Sequence, residues 1–193
     1  NGQSLSDGII VDLSRHMHGI LSFDAAARQV RVQAGLVKDR LNEYLKPHDL
    51  FFSPELSTSN RATIGGMINT DASGQGSMVY GKTSAHVLTV QAILEDGTVL
   101  ETAPLSGEAL QAKLAQQDRE GELYRAVLEV ARGKRAEIEA TFPQLNRFLT
   151  GYDLKHVWDP ATETLNLTSL LCGSEGTLAF ITEATLDLTP IQR

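Results

Sequence analysis

Thr63-Ile64-Gly65-Gly66-Met67-Ile68-Asn69-Thr70-Asp71-Ala72-Ser73-Gly74 is the stretch on which the reading of this chain turns. It concentrates small residues where bulk would serve stability better. Glycine removes side chain, exposes backbone N–H groups and lets a ligand come close to the main chain. The wider segment from Phe51 to Gly81 shows neither helical nor strand periodicity and reads as one long loop rich in Ser, Thr, Asn and Gly. A loop of that length inside a compact domain is usually functional. Two phosphate-binding classes fail on spacing: no Gly-Lys-Ser/Thr follows for a Walker A loop, and Val79 stands where Gly74-Gln75-Gly76 needs the third glycine of a Rossmann fingerprint. The plain alternative is a glycine turn without a ligand.

Upstream of this stretch, Ile9-Ile10-Val11-Asp12-Leu13 reads as a short apolar strand, and Gln29 to Ala34 alternates with a period of two, as a strand with one buried face does. Val37, Leu41, Tyr44 and Leu45 then recur at helical spacing until Pro47. Downstream, Leu88 to Leu94 reads as a strand that Asp96-Gly97 turns back through Thr98-Val99-Leu100. Ser106 to Ala140 carries Leu123, Val127, Val130 and Ala131 at helical spacing, as one long helix or two. Strands resume over 165–171 and 180–188, joined by Cys172-Gly173-Ser174-Glu175-Gly176-Thr177-Leu178. That joint is no nucleophile elbow, because Cys172 occupies the place of the first glycine and the order reads strand-turn-strand. The irregular order of elements predicts an α+β fold with antiparallel strands. The strands at 88–94, 97–102, 165–171 and 180–188 are expected in one sheet, with a 119–140 helix packed on it.

The chain has 193 residues, 41% apolar and 21% charged, which is ordinary globular usage. Seventeen Lys and Arg against 24 Asp and Glu give a net charge of −7 and no basic stripe, so nucleic acid is not an expected partner. The single cysteine, Cys172, can close no internal disulfide, and no apolar run approaches a membrane span. The expected location is the cytoplasm, any membrane association coming from other parts of a longer protein. The chain opens at Asn1-Gly2-Gln3-Ser4 inside what reads as a loop, and a piece of a longer protein is expected.

Pro54-Glu55-Leu56-Ser57-Thr58, the Thr63–Gly74 stretch, Tyr80-Gly81, Glu95-Asp96-Gly97-Thr98, Thr150-Gly151-Tyr152-Asp153-Leu154-Lys155 and Gly173-Ser174-Glu175-Gly176-Thr177-Leu178 running into Ile181-Thr182-Glu183-Ala184 fall in one order along most of the chain. Any one is weak, but the ordered set resembles the FAD-binding domain of the FAD-linked oxidase family, the vanillyl-alcohol-oxidase or PCMH-type flavoproteins. Within it, the set is similar to the D-2-hydroxyglutarate and D-lactate dehydrogenase branch.

The resemblance implies a PCMH-type α+β fold, truncated here at both ends: 1–86 as the remainder of a first FAD-binding subdomain with the cofactor loop, and 87–193 as a second. It implies noncovalent FAD, and oxidation of a small D-2-hydroxy acid, 2-hydroxyglutarate-like or lactate-like, by hydride transfer to flavin N5. Gly2, Gln3 and Ser4 would end the pyrophosphate loop. Pro54, Glu55, Leu56, Ser57, Thr58 and Ser59 would lie along the flavin and ribityl chain. Thr63, Gly65, Gly66, Asn69, Thr70, Asp71, Ala72 and Gly74 would bind the cofactor, and Glu175, Gly176, Thr177, Leu178 and Ile181 would meet its adenosine half. The sequence departs from the family pattern at Asp71, a carboxylate where small neutral residues are commoner, and at Ala179, where glycine is usual. Tyr152 and Lys155 are weak catalytic candidates. Some large relatives carry an iron–sulfur domain, which the resemblance allows elsewhere in a longer protein. No residue points to an electron acceptor.

Other chemistry-bearing residues read more plainly. His16 and His18 lack a third metal ligand nearby, His86 is placed near the cofactor loop, and Cys172 is a small buried hydrophobe. The competing function is a noncatalytic α+β binding or scaffold module that kept the loops and lost the cofactor.

Overall fold

The computed structural model describes residues 8–143, 145 and 151–192. Its centre is a five-stranded sheet built from β1 (Ile20–Asp24), β2 (Gln29–Gln33), β4 (Val87–Ile93), β5 (Val99–Thr102) and β9 (Phe180–Asp187). The spatial order is β1-β2-β9-β4-β5, and every neighbouring pair is antiparallel. β9 comes last in sequence yet sits in the middle, so the sheet closes only when residues 180–187 insert between strands from the first half of the chain. The α+β class is thereby realised. The Asp96-Gly97 turn joins β4 to β5 with Gly97 at φ +86° and the Asp96 carboxylate accepting from Thr98 N.

β2 shows why the alternating residues form a strand: Val30 and Val32 are buried, while Gln29, Arg31 and Gln33 point to the other face. There Arg31 reaches Glu183 on β9 and Glu101 on β5, both at 2.7 Å. The expected boundary at 86/87 falls within this sheet, since β2 from before it pairs with β9 from beyond it. One core runs from Val30 through Ile64 and Val90 to Leu188; a second gathers Leu94 and Leu100 with Tyr124, Leu128, Trp158 and Leu165.

Helix α1 (Lys38–Leu45) follows β2, and β3 (Leu50–Phe51) pairs with β10 (Thr189–Pro190). Two short helices, α2 (Ile64–Asn69) and α3 (Ser77–Tyr80), occupy the glycine-rich segment. β6 (Pro104–Leu105) leads to α4 (Gly107–Ala115), α5 (Arg119–Gly133) and α6 (Arg135–Thr141). The charged 106–140 region is therefore three helices, and α5 buries Tyr124, Leu128 and Ala131 in the second core.

Three expectations are corrected. Residues 165–171 do not enter the main sheet: β8 (Thr164–Asn166) pairs with β6 and with β7 (Trp158–Asp159), and Thr168–Leu171 is the short helix α7. The Asn166 side chain accepts from Thr168 N at 3.1 Å and its carbonyl from Ser169 Oγ at 2.7 Å, local bonds that turn the chain into a helix. The joint through Gly173 is accordingly helix-turn-strand. Ile9 to Leu13 form no strand either, and Ile9 and Ile10 are exposed.

Candidate functional site

The glycine-rich stretch is a helix where a loop was expected, and packing explains it. A helix this short gains its stability from tertiary contacts. The Thr63 side chain caps it, accepting from Gly66 N at 3.3 Å, while Ile64 N and Gly65 N donate to Leu36 O and Ala34 O at 2.9 and 2.8 Å. Ile64, Met67 and Ile68 are buried. Gly65 faces inward, where a Cβ would stand 2.8 Å from that of Ala34. Its glycine lets α2 pack closely on the turn that follows β2. Gly66 and Thr70 instead line a cleft of about 440 Å³ together with Leu56, Thr58, Arg61, Thr63 and Ala72.

At its other end α2 meets the second glycine-rich turn. Ile68 O and Asn69 O accept from Gly173 N and Glu175 N at 2.9 and 2.8 Å. Gly176 has φ +76°, and the Asn69 amide nitrogen lies 3.8 Å from where its Cβ would be. Asn69 and Gly176 are thus neighbours, while Thr177 and Leu178 line a separate apolar cleft with Leu94, Leu123 and Leu170. The Asn69 side-chain oxygen is buried and has no hydrogen-bond partner among the described residues. Thr177 Oγ1 donates to Ser174 O at 2.6 Å, so the Tyr152 hydroxyl, 2.9 Å away, donates to Thr177. Tyr152 braces this turn.

The remaining expected residues divide by what their side chains touch. Pro54 is buried; Glu55, Ser57, Thr58, Glu175, Gly176, Thr177 and Leu178 are exposed; Ser59 is half-buried. Gly74 packs against the Glu55 main chain, where a Cβ would stand 2.3 Å from Glu55 O. Ile181 is in the core. Asp71 is buried at φ +44°, ion-paired with Lys82 and accepting from Ser84 N at 2.8 Å, so its carboxylate is committed inside the fold. Gly2, Gln3, Ser4 and Thr150 lie outside the described residues. His86 Nε2 donates to Tyr80 O at 2.6 Å, which ties it to the cofactor loop. Among the described residues no three His, Cys, Asp or Glu side chains are grouped to hold a metal ion.

A second cleft, of about 500 Å³, is lined by Lys82, Asp153, Lys155, His156, Thr168 and Cys172. Lys155 Nζ donates to Pro143 O at 3.2 Å, and Asp153 accepts from His156 Nδ1 at 2.7 Å. Burial works against the Asp153 carboxylate, but hydrogen bonds and charge from His156, aided by Lys82, outweigh it and hold the pKa below the ordinary value. Burial, with Asp71 and Asp153 nearby, pushes the Cys172 thiol far up. Lys82 and Arg61 escaped the sequence reading. A lone cation beside a turn looks like solvated surface, and nothing local to Lys82 or Arg61 marks either as a site residue.

The fold and paired glycine turns are those of a cofactor-binding domain, and residues 1–103 match the sequence model of the FAD binding domain family. The chain belongs to that family. It is 61% identical to a D-2-hydroxyglutarate dehydrogenase of Pantoea ananatis and 56% identical to one of Escherichia coli, in each case over all of this chain and 19% of the relative. A mitochondrial D-lactate dehydrogenase [cytochrome] 1 of Saccharomyces cerevisiae is 36% identical over 51% of the chain and 16% of its own length. The chain thus spans about a fifth of the D-2-hydroxyglutarate dehydrogenases it matches. FAD is the cofactor of such a domain, and the residues present fit it: an unpartnered buried amide oxygen on Asn69, a polar cleft along Gly66, and a glycine turn at 175–178 with no carboxylate of Asp71 aimed into it. No described helix is long and apolar enough to cross a membrane.

Proposed function

We propose that this chain is the FAD-binding part of a flavin-dependent dehydrogenase acting on a small D-2-hydroxy acid, with 2-hydroxyglutarate preferred over lactate. The convergence of Asn69 with the Glu175–Leu178 turn carries the cofactor half of this reading, because two glycine-rich turns over 100 residues apart serve one ligand only if they meet. The substrate half is supported by the names of the relatives that match over the whole chain.

Bound FAD supplies a two-electron acceptor for hydride from the substrate α-carbon, and the protein's part is to hold and orient it. Leu56, Thr58, Thr63, Gly66 and Thr70 would line one side of the cofactor, and the Glu175–Leu178 turn, which donates Glu175 N to Asn69 O, would meet it beyond the end of α2. Asn69 joins the two, and its unpaired oxygen would accept a donor from the ligand. The α2 amides already serve Leu36, Ala34 and Thr63, so the Thr58 and Thr63 hydroxyls with the Arg61 guanidinium would meet the charged part of the cofactor in the first cleft. Tyr152 steadies the turn through Thr177 and Lys155 faces the second cleft, so both act at its edges.

The test is on the full-length protein. It should carry extractable FAD and reduce an artificial electron acceptor with D-2-hydroxyglutarate, faster than with D-lactate and not with the L-enantiomers. A flavin-free preparation that binds no added FAD would support the scaffold reading instead.

A further inference from the structure

Lys82 stands where the sequence motifs meet. Its ammonium pairs with the Asp71 carboxylate, and the two side chains are only 12% and 6% exposed. Asp71 belongs to the segment that ends α2, and its residue is held in the left-handed region, φ +44°, which costs energy unless surrounding bonds fix it. Hydrogen bonds from the 83–84 segment do so. Ser84 N donates to the same carboxylate at 2.8 Å, while Thr83 donates to Ala72 O through both its N–H, at 3.1 Å, and its hydroxyl, at 2.7 Å. The Asp71 Cβ also lies 3.4 Å from where a Cβ would stand on Gly173, the start of the 173–178 turn. On its other side Lys82 faces the second cleft together with Asp153 and His156 of the Tyr152 segment. One cation therefore touches or faces parts of the chain that the family motifs place around the cofactor, and it balances carboxylates from two of them.

We propose that Lys82 is a positioning residue of the FAD site, holding the end of α2, the 82–86 segment and the 151–156 segment in the arrangement that binds FAD. The proposal rests on the FAD reading above. It also accounts for Asp71, the departure from the family pattern: the carboxylate is tolerated in the cofactor loop because Lys82 neutralises it away from the ligand. The lowered pKa of Asp153, to which Lys82 contributes, is consistent with this. Removing Lys82 leaves a buried carboxylate uncompensated, which is strongly unfavourable, whereas neutralising both partners removes that penalty. The two variants separate stability from positioning.

In the full-length protein, FAD affinity of the apo form is measured by flavin fluorescence titration beside the apo melting temperature, for wild type, Lys82→Met, Lys82→Arg and the double variant Lys82→Met with Asp71→Asn. Lys82→Met is expected to lower both. The double variant should recover most of the melting temperature yet still bind FAD roughly tenfold more weakly, because the segments around the cofactor are no longer held in the binding arrangement. Lys82→Arg, which keeps the charge, should restore affinity. The double variant decides the question even if Lys82→Met does not fold. Full recovery of both quantities there, or unchanged FAD affinity in Lys82→Met, makes the pair purely structural and overturns the proposal. A wild type that binds no FAD overturns the FAD reading as well and is told apart at once.

Discussion

Asn69→Ala is expected to weaken FAD binding without weakening the apo protein, a combination that a purely structural residue would not give. The Asn69 side-chain oxygen is buried without a partner among the described residues. A buried acceptor left unpaired costs about 1–3 kcal/mol, so deleting it relieves part of that penalty. Alanine also suits a helix better than asparagine by up to ~0.7 kcal/mol, and Asn69 is the last residue of α2. Against these stands the loss of packing beside Gly176, where the contact is an ordinary 3.8 Å. The apo protein should be unchanged or more stable by about 1–2 kcal/mol. In the complex, one hydrogen bond worth roughly 0.5–1.5 kcal/mol disappears, and the FAD dissociation constant should rise roughly 2- to 10-fold. Thermal melts of the apo protein and FAD titrations on one preparation measure both. A lower melting temperature with an unchanged dissociation constant would refute the reasoning, because Asn69 would then be a structural residue.

Three further outcomes are expected. Gly74→Ala places a methyl group 2.3 Å from Glu55 O, against backbone that cannot swing aside, and should destabilise the apo protein by about 1–3 kcal/mol, read as a lower melting temperature; a variant as stable as wild type would contradict the packing described. Cys172 should resist a thiol reagent at pH 8 in the folded protein and react fully once unfolded, since it is buried with a raised pKa; fast native-state labelling would contradict this. Asp153 has a folded pKa below its unfolded value, so its contribution to stability is complete above that unfolded value, about pH 4, and is lost as pH falls through the folded one. Melts between about pH 2 and 6 should show a shallower acid loss for Asp153→Asn than for wild type, and superimposable curves would count against it.

How much of this was legible in the sequence depended on whether local signals were the ones that decided. Asp96-Gly97 and the alternating Gln29–Ala34 run were read correctly because turn chemistry and a half-buried face act at short range. β1, Ile20–Asp24, was missed, being an edge strand with little burial contrast between its faces. α2 is hidden in the sequence because two glycines mask a helix that only contacts with Ala34 and Leu36, far earlier in the chain, could stabilise. The 165–171 run looks like a strand by its apolar content, and the bond from Thr168 N to the Asn166 side chain turns it into a helix instead. At the site, the structure shows what sequence motifs alone do not: Gly65 and Gly74 pack closely against neighbouring protein atoms, and Ile181 fills the core. The Asp71–Lys82 pair was beyond reach, because an ion pair between two turns is a fact of the tertiary fold.

Amide hydrogen exchange of the full-length protein with and without FAD tests the central claim most directly, that two distant glycine-rich segments hold one cofactor. The account predicts that FAD slows exchange in peptides covering 54–72 and 173–178 together, with the same dependence on FAD concentration. Protection of only one segment, or of neither while FAD remains bound, would contradict it.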